Sequence, residues 1–199
     1  AHALPTRLGV MRVLPAGLPD PAFDESVERG VAPGSLDGFF AAMKNLPYDL
    51  AILDTAAGVG TLSRAIFAAS SHLLLPQQAE PLGLRSLPTL LQALTRLREQ
   101  GATFEVLGIV LSMLKLGAAT SENAAADLRR IAPPEMVLQT AIPRDDDILL
   151  ASEKGLPVSM LRKYPPAVAA VFDQLAAELE PRLGLTTTTQ DDDAPGFMD

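Results

Sequence analysis

YDLAILDTAAGVG, from Tyr48 to Gly60, is the stretch that decides how the rest of the chain is interpreted. Residues 50–53 form an apolar run without alternation, which is typical of a strand buried on both faces in a parallel sheet. The run stops at Asp54, and small residues follow it. Because open α/β sheets bind their ligands at the carboxyl ends of their strands, Asp54 lies where a functional carboxylate is expected.

Two roles fit Asp54. In nucleotide hydrolases with a phosphate-binding loop, an acidic residue at such a strand end holds the magnesium ion that bridges the phosphates. Alternatively, Asp54 caps the helix that is predicted to begin near Thr61, since aspartate is a common N-cap residue. The first role predicts that a substitution abolishes catalysis, and the second predicts a loss of about 1 kcal/mol of stability.

Composition limits the classes of function. The chain has 199 residues, of which 48% are hydrophobic, so it can bury a sizeable core. It has no cysteine and two histidines, which argues against disulfides, thiolate metal sites and histidine-rich metal sites. The formal net charge of -8 argues against a broad basic face for nucleic acid. Neither a membrane-spanning run nor a signal peptide is recognisable, so we expect a soluble cytoplasmic protein.

Strand patterns alternate with helix patterns along the chain, which predicts an α/β fold with a mostly parallel sheet and helices on both faces. Strands are predicted for 8–14, 50–53, 72–76, 104–113 and 136–142. Helices are predicted for 35–45, 61–70, 84–99, 121–131, 147–154 and 165–183, with Ser121 as an N-cap and Pro88 in a first turn. Residues 1–185 are interpreted as the folded part, and the acidic tail 186–199 is expected to be disordered.

Four segments, in this order, resemble the ParA/MinD family of deviant-Walker P-loop ATPases. YDLAILDTAAG is similar to the family's Walker B strand, and LLLPQQAEPLGLRSLPTLL to the next strand, its proline-containing loop and the long helix. VLGIVLSML is similar to the strand that ends near the adenine, and AIPRDDDILLASEKGLPV to the late isoleucine-proline segment. The resemblance covers residues 8–184 and implies a P-loop NTPase-like fold that is incomplete at its N-terminus.

The resemblance also implies a set of site residues. Asp54 becomes the catalytic, magnesium-linked Walker B aspartate and the metal ligand, with ATP and Mg²⁺ as cofactors of the complete protein. The switch II positions are Thr55, Gly58 and Gly60, and the nucleotide-binding positions are Met113, Pro143 and Arg144. Simpler interpretations remain open, since the two glycines fit any strand-to-helix turn and Arg144 fits a surface charge.

Three further polar residues, Gln77, Gln78 and Glu80, follow the strand predicted over 72–76. Family members approach the partner subunit or the ribose at these positions, and a solvated loop fits the same residues.

The family's glycine-rich lysine loop is absent from the sequence, and its switch I aspartate would lie upstream of residue 1. Phosphoryl transfer depends on positioning and charge neutralisation, so the chain alone is expected neither to hold ATP tightly nor to hydrolyse it. The resemblance implies the C-terminal part of an ATPase that positions or partitions cargo by nucleotide-gated dimerisation. Its partner would be a second copy or the missing P-loop half. The alternative is a non-catalytic interaction protein of the same fold that has lost the nucleotide.

Two partner surfaces of the family are altered in this sequence. At the positions of the DNA-binding arginines of ParA-type proteins the chain has Gly117 and Asp147, and Lys115, Arg129 and Arg130 replace them only in part. We therefore expect no binding to nonspecific duplex DNA. The basic amphipathic helix with which MinD-type proteins lie on the membrane is replaced by an acidic, threonine-rich end, so no membrane anchor is expected.

Overall fold

The computed structural model of the chain describes residues 4–5, 11–13 and 36–185, with the backbone alone for residues 4, 5 and 37. The tail 186–199, which is predicted to be disordered, lies outside the described residues. The chain divides into two compact units, Ala1–Ile66 and Phe67–Asp199. Each unit is described by itself below.

The first unit contains a two-stranded antiparallel sheet and short helices. Strand β1 (Leu4–Pro5) pairs with strand β2 (Arg12–Val13), which lies within the strand predicted over 8–14. Helix α1 (Asp37–Lys44) confirms the helix predicted over 35–45. Helix α2 (Thr61–Ala69) begins where it was expected and runs across the boundary between the units.

The prediction of a buried strand over 50–53 is wrong for this structure. Residues 50–56 have no regular secondary structure, and Leu50 and Ile52 are 47% and 85% exposed. A strand of a parallel sheet is buried only where neighbouring strands pair with it and helices cover its faces. No described residue pairs with this run, and the apolar pattern alone carries no information about a partner strand.

The second unit is built on a three-stranded parallel sheet with the order β3-β4-β5. Its strands are β3 (His72–Gln78), β4 (Glu105–Leu114) and β5 (Val137–Pro143). The helices are α3 (Pro81–Glu99), α4 (Ala119–Ile131), α5 (Asp146–Glu153) and α6 (Ala169–Leu179). Short 3-10 helices lie at Pro134–Met136, Val158–Met160 and Pro181–Leu183. This confirms the predicted α/β class with a parallel sheet.

Helix α3 buries its apolar face against the sheet, as its leucine spacing predicts. One cluster joins the helix, β3, β4 and α4, and its members include Leu73, Leu75, Leu87, Leu94, Leu97, Ile109, Leu111 and Leu128. Residues 107–111 of the central strand β4 are all buried, so both faces of this strand are covered. Helix α6 contacts β5. The core therefore fixes β4 as the middle of the second unit.

Three predicted helix ends differ from the structure. Helix α3 begins at Pro81, so Pro88 lies inside it and not in its first turn. Helix α4 begins at Ala119 after the N-cap residue Ala118, so Ser121 is not an N-cap. Helix α6 begins at Ala169, four residues after the predicted start, because a turn follows Pro165 and Pro166. Local propensity does not show which hydrogen bonds the surrounding structure offers at a helix end.

Strand β4 carries irregularities at both ends of its buried part. The register between β3 and β4 shifts after Leu73, beside Gly108, whose φ is 148°. The register between β4 and β5 shifts again between Leu111 and Leu114, around Met113, whose φ is 55°. An extra residue in one strand of a pair bends that strand and re-aims its side chains. The second irregularity lies at the carboxyl end of the sheet, where ligands of open α/β sheets bind.

Candidate functional site

The carboxyl ends of the three parallel strands meet at one edge of the second unit. The N–H of Ala79, just after β3, donates to the carbonyl of Ser112 in β4 over 2.9 Å. The N–H of Arg144, just after β5, donates to the carbonyl of Leu114 over 2.9 Å. These backbone bonds join the three loops that follow the strands. We call this surface the carboxyl edge.

Met113 lies at the carboxyl edge in a left-handed backbone conformation that costs a non-glycine residue about 1–2 kcal/mol. Its side chain is 45% exposed, and its Sδ accepts a hydrogen bond of 3.6 Å from Nε2 of Gln78. Backbone conformations of this kind persist only where the surrounding structure holds them, and they are frequent at ligand sites. The register irregularity thus holds Met113 beside the last residue of β3.

Pro143 and Arg144 lie next to Met113 along the same edge. Pro143 is the register partner of Leu114, and Arg144 is bonded to the carbonyl of that same residue. The side chain of Arg144 is exposed, and no ion pair involves it in residues 36–185. The three residues for which a nucleotide contact is predicted therefore surround Leu114. Their role toward a nucleotide stays a prediction.

Ser121 ties the loop after β4 to the loop after β3. It is 5% exposed; its hydroxyl donates to the carbonyl of Ala79 over 2.8 Å and accepts from the N–H of Lys115 over 3.0 Å. The sequence predicts Ser121 as a helix N-cap, and its small polar side chain near the start of a helix is the one sequence signal for a contact to the backbone. Ser121 therefore helps to fix the geometry of the carboxyl edge.

Asp54 belongs to the first unit, where its exposed carboxylate makes no hydrogen bond to any residue that the structure describes. Helix α2 begins only at Thr61, so the alternative in which Asp54 caps this helix is wrong. Mg²⁺ is commonly held by one or two carboxylates together with water and substrate phosphates. A single free carboxylate is compatible with that kind of site. No group of three or more metal-binding side chains occurs among the described residues.

The predicted switch II residues lie in the loop between Asp54 and α2. Gly58 has a φ of 96°, a conformation that glycine adopts without strain, and the carbonyl of Gly60 accepts a hydrogen bond from the N–H of Arg64 in the first turn of the helix. Thr55 is half-buried. The hydroxyl of the buried Ser63 reaches back to the carbonyl of Ala56 over 3.5 Å. The loop therefore has the geometry of a turn that leads into a helix, as the simpler interpretation requires.

The acidic run after β5 is engaged in contacts of its own. The Asp145 carboxylate accepts a hydrogen bond of 2.8 Å from the N–H of Asp147 and caps α5. The Asp147 carboxylate forms an ion pair with Arg162. At Gly117, the other position at which the sequence resemblance implies a DNA-binding arginine, the backbone N–H donates to the carboxylate of Glu122 over 2.8 Å. A carboxylate thus stands at position 147 and another lies beside Gly117, and Arg162 is partly neutralised.

A shallow depression of about 340 Å³ lies at the amino end of β4, away from the carboxyl edge. It is lined by Glu105, Val106, Leu107, Glu135 and Arg182. Arg182 donates to the carbonyl groups of Leu107 and Glu135 over 2.6 and 3.2 Å. This arginine therefore serves the fold, and the depression contains none of the predicted site residues.

Across the described ranges, no helix is long and apolar enough to cross a membrane.

Comparison with known proteins identifies relatives of moderate similarity. The chain is 24% identical over 161 residues to protein IncC of Escherichia coli, covering 78% of this chain and 44% of that protein. A second IncC protein of Escherichia coli is 26% identical over 146 residues, covering 70% of this chain and 39% of that protein. The chain thus spans less than half the length of these curated relatives. No protein-family model matches it.

Solved structures share the fold. The ATP complex of a McdA variant from Cyanothece superposes with a TM-score of 0.69 at 24% identity, covering 85% of this chain and 65% of that chain. Cobyrinic acid a,c-diamide synthase from Mycobacterium smegmatis, with an ATP analogue and magnesium, superposes with a TM-score of 0.59 at 23% identity. The match covers 82% of this chain and 69% of that chain. The cell division ATPase MinD of Pyrococcus furiosus superposes with a TM-score of 0.55 at 23% identity. The match covers 75% of this chain and 59% of that chain. These comparisons confirm, for the fold, the resemblance to ParA/MinD-type P-loop ATPases that the sequence motifs indicate.

Proposed function

We propose that this chain, with its ParA/MinD-like fold, is the C-terminal part of an ATPase that positions or partitions cargo in the cytoplasm. The cargo would be DNA, a plasmid or a protein complex. The observation that carries the proposal is the meeting of Met113, Pro143 and Arg144 around Leu114 at the carboxyl edge. Structures of the same fold contain ATP or an ATP analogue with magnesium, which supports ATP and Mg²⁺ as ligands of the complete protein.

Each residue has a separate task in this proposal. Met113 and Pro143 offer apolar surface to a base, and Arg144 offers a guanidinium that can donate hydrogen bonds to a ribose or phosphate oxygen. Asp54 would bind or orient the magnesium ion, whose charge offsets that of the phosphates. The loop with Thr55, Gly58 and Gly60 would respond to the bound nucleotide as switch II.

Nucleotide-gated dimerisation is part of the proposal. Two large apolar side chains beside the carboxyl edge are exposed: Leu82 in the first turn of α3 is 75% exposed, and Leu116 in the loop after β4 is 74% exposed. Exposed apolar side chains near a ligand edge favour a protein contact there. A second copy is the partner that we propose for this surface, because symmetric dimers are the commonest protein assemblies.

A second candidate function is a non-catalytic interaction protein of the same fold. The exposure of Leu50 and Ile52 favours it, because the run that should carry the Walker B aspartate is part of no sheet in the described residues. The coding sequence upstream of Ala1 distinguishes the candidates. An in-frame glycine- and lysine-rich loop there supports the ATPase, whereas a stop codon followed by a start site near residue 1 supports the interaction protein.

The catalytic test is the Asp54→Ala variant of the complete protein. We expect the rate of ATP hydrolysis to fall roughly 100-fold or more, because a metal-linked carboxylate supports the charge of the transition state. The melting temperature should not change, since Asp54 is exposed and its carboxylate makes no hydrogen bond or ion pair with the described residues. Asp49→Ala, an exposed aspartate of the same stretch, is the matched control and should keep the rate. Normal hydrolysis by Asp54→Ala would refute the assignment.

A further inference from the structure

The side chain of Gln77 is a largely buried polar group without a partner. Gln77 is 7% exposed, near the end of β3, on the same face of that strand as Leu73 and Leu75. Its carboxamide makes no hydrogen bond to any of the residues described by the structure. A side-chain amide on so enclosed a residue usually has a hydrogen-bond partner, so the free amide of Gln77 is a candidate for binding a ligand.

The amide of Gln77 remains open to a ligand. Among the described residues, every side-chain nitrogen or oxygen that is wholly shut off from solvent has a hydrogen-bond partner. Since the Gln77 amide has none, the small exposed fraction of this residue includes its polar end. A small polar group can therefore reach the amide from outside.

The carboxamide of Gln77 lies against the first turn of α3. A Cβ atom added to Gly83 would lie 2.8 Å from Nε2 of Gln77 and 2.9 Å from the carbonyl oxygen of Gln78. Only a glycine in this turn allows the helix to approach the end of β3 so closely. The amide nitrogen is therefore held directly beside the N-terminus of a 19-residue helix.

The N-terminus of α3 has donors without acceptors. The N-cap residue Glu80 makes no side-chain hydrogen bond to the helix, and Pro81 has no N–H. The first helical hydrogen bond to Glu80 comes from the N–H of Leu84, so the N–H groups of Leu82 and Gly83 have no acceptor among the described residues. Free N–H groups and the helix dipole make such a terminus favourable for an anion.

The donors select a carboxylate over a phosphate. Two backbone N–H groups and the Gln77 amide together offer hydrogen bonds and no full positive charge. The carboxylate of Glu80 is exposed next to them, and the chain has a net charge of -8, so a dianion would be repelled more strongly than a monoanion. Leu82, 75% exposed in the same turn, offers an apolar contact beside the anion.

We propose that Gln77 and the first turn of α3 form a binding site for the carboxylate of an acidic side chain that a partner protein presents beside an apolar residue. The N–H groups of Leu82 and Gly83 and the amide of Gln77 donate to the carboxylate oxygens, and Leu82 contacts the neighbouring apolar side chain. The site needs neither nucleotide nor magnesium, so it stands or fails independently of the ATPase activity.

The test is a titration of the ¹⁵N-labelled chain followed by NMR. Acetate should shift the backbone amide signals of Leu82 and Gly83 and the side-chain amide signal of Gln77 in parallel, and the shifts should saturate. Acetyl-Glu-Leu-amide should bind more tightly than acetate, and inorganic phosphate more weakly. In Gln77→Met, which keeps the length of the side chain and removes its donors, the affinity should fall at least tenfold. Gln78→Met is the matched control and should bind like the wild type.

Three outcomes would overturn the proposal. The first is the absence of a saturable shift at Leu82 and Gly83, or an equal shift in Gln77→Met, which would mean that Gln77 only fills space against the helix. The second is tighter binding of phosphate than of acetate. The third is equal affinity for acetate and the dipeptide, which would mean that the site does not recognise an apolar residue beside the carboxylate. If Gln77→Met does not fold, Gln77→Glu replaces it, because its own carboxylate should block acetate.

Discussion

The carboxylate of Glu178 in α6 accepts a hydrogen bond of 3.0 Å from the backbone N–H of Thr140 in β5, and a second of 2.8 Å from the N–H of Gln139. Two consecutive N–H groups can face one carboxylate because β5 is irregular here: Val137 and Ala141 pair with Ile109 and Leu111 of β4. Glu178 thus satisfies backbone donors that the sheet leaves unpaired. It also fastens α6 to β5.

The first prediction concerns Glu178→Gln, which should lower the free energy of unfolding by about 1–2 kcal/mol, since hydrogen bonds to a charged group are lost. Burial alone would raise the pKa of Glu178, but hydrogen bonds from Thr140 and Gln139 and the charge of Arg182 hold the pKa below its ordinary value. The stabilisation is therefore complete above the ordinary glutamate pKa and is lost as the pH falls through the folded-state pKa. Urea unfolding from pH 7 to about pH 3 measures this.

The matched control for Glu178 is Glu153→Gln, an exposed glutamate at the end of α5. It should unfold like the wild type at every pH. A stability gap between Glu178→Gln and the wild type that stays constant down to the lowest pH would contradict the pKa assignment.

The second prediction concerns Gly108→Ala in the central strand. A Cβ atom at this position would lie 2.8 Å from Cδ2 of Leu138 and 3.1 Å from the carbonyl of Met136, and the φ of Gly108 is 148°. We expect a loss of about 2–4 kcal/mol from overpacking and backbone strain together. Gly101→Ala, where φ is 99° and no atom lies within 4 Å, should cost only about 1–2 kcal/mol. Equal losses of stability in the two variants, measured by thermal unfolding, would show that the side chain of Leu138 moves aside for the added methyl group.

The third prediction concerns the strained backbone at Met113. Met113→Gly should be more stable than Met113→Ala by about 1 kcal/mol, because both variants lose the side chain beyond Cβ and only glycine accepts a φ of 55° without strain. At Met160, in the 3-10 helix Val158–Met160, the order should be the reverse. Denaturant midpoints of the four variants decide the point. An alanine variant as stable as the glycine variant at 113 would mean that the strand relaxes.

The fourth prediction concerns DNA. A gel-shift assay at low salt with a nonspecific duplex should show no binding by the chain, because carboxylates occupy the positions near Gly117 and Asp147. Asp147→Arg should introduce weak, salt-sensitive binding, because it adds a cation and also releases Arg162. Asp146→Arg makes the same change of charge at an exposed neighbour and leaves the ion pair of Asp147 with Arg162 in place. This variant should therefore bind DNA more weakly than Asp147→Arg. Tight binding by the wild type would reveal a basic surface elsewhere.

The sequence predicted the second unit well because its segments are long and strongly periodic. The leucine spacing of α3 and the apolar run of β4 each specify an element by local pattern, and both are confirmed within a few residues. The first unit was predicted less well. A run such as 50–53 reads as a buried strand wherever it occurs, but it is buried only where other strands pair with it.

Local sequence patterns show which residues stand at the ends of the strands, and they are enough to predict that Met113, Pro143 and Arg144 lie on one edge of a parallel sheet. Which backbone groups need a side-chain partner becomes visible only in the folded chain. The hydroxyl of Ser121 in α4 donates to the carbonyl of Ala79 after β3, and the carboxylate of Glu178 in α6 accepts from the N–H of Thr140 in β5. Both pairs are far apart in the chain. Hydrogen bonds between distant segments depend on register, bulges and close approach of elements, and local periodicity encodes none of these.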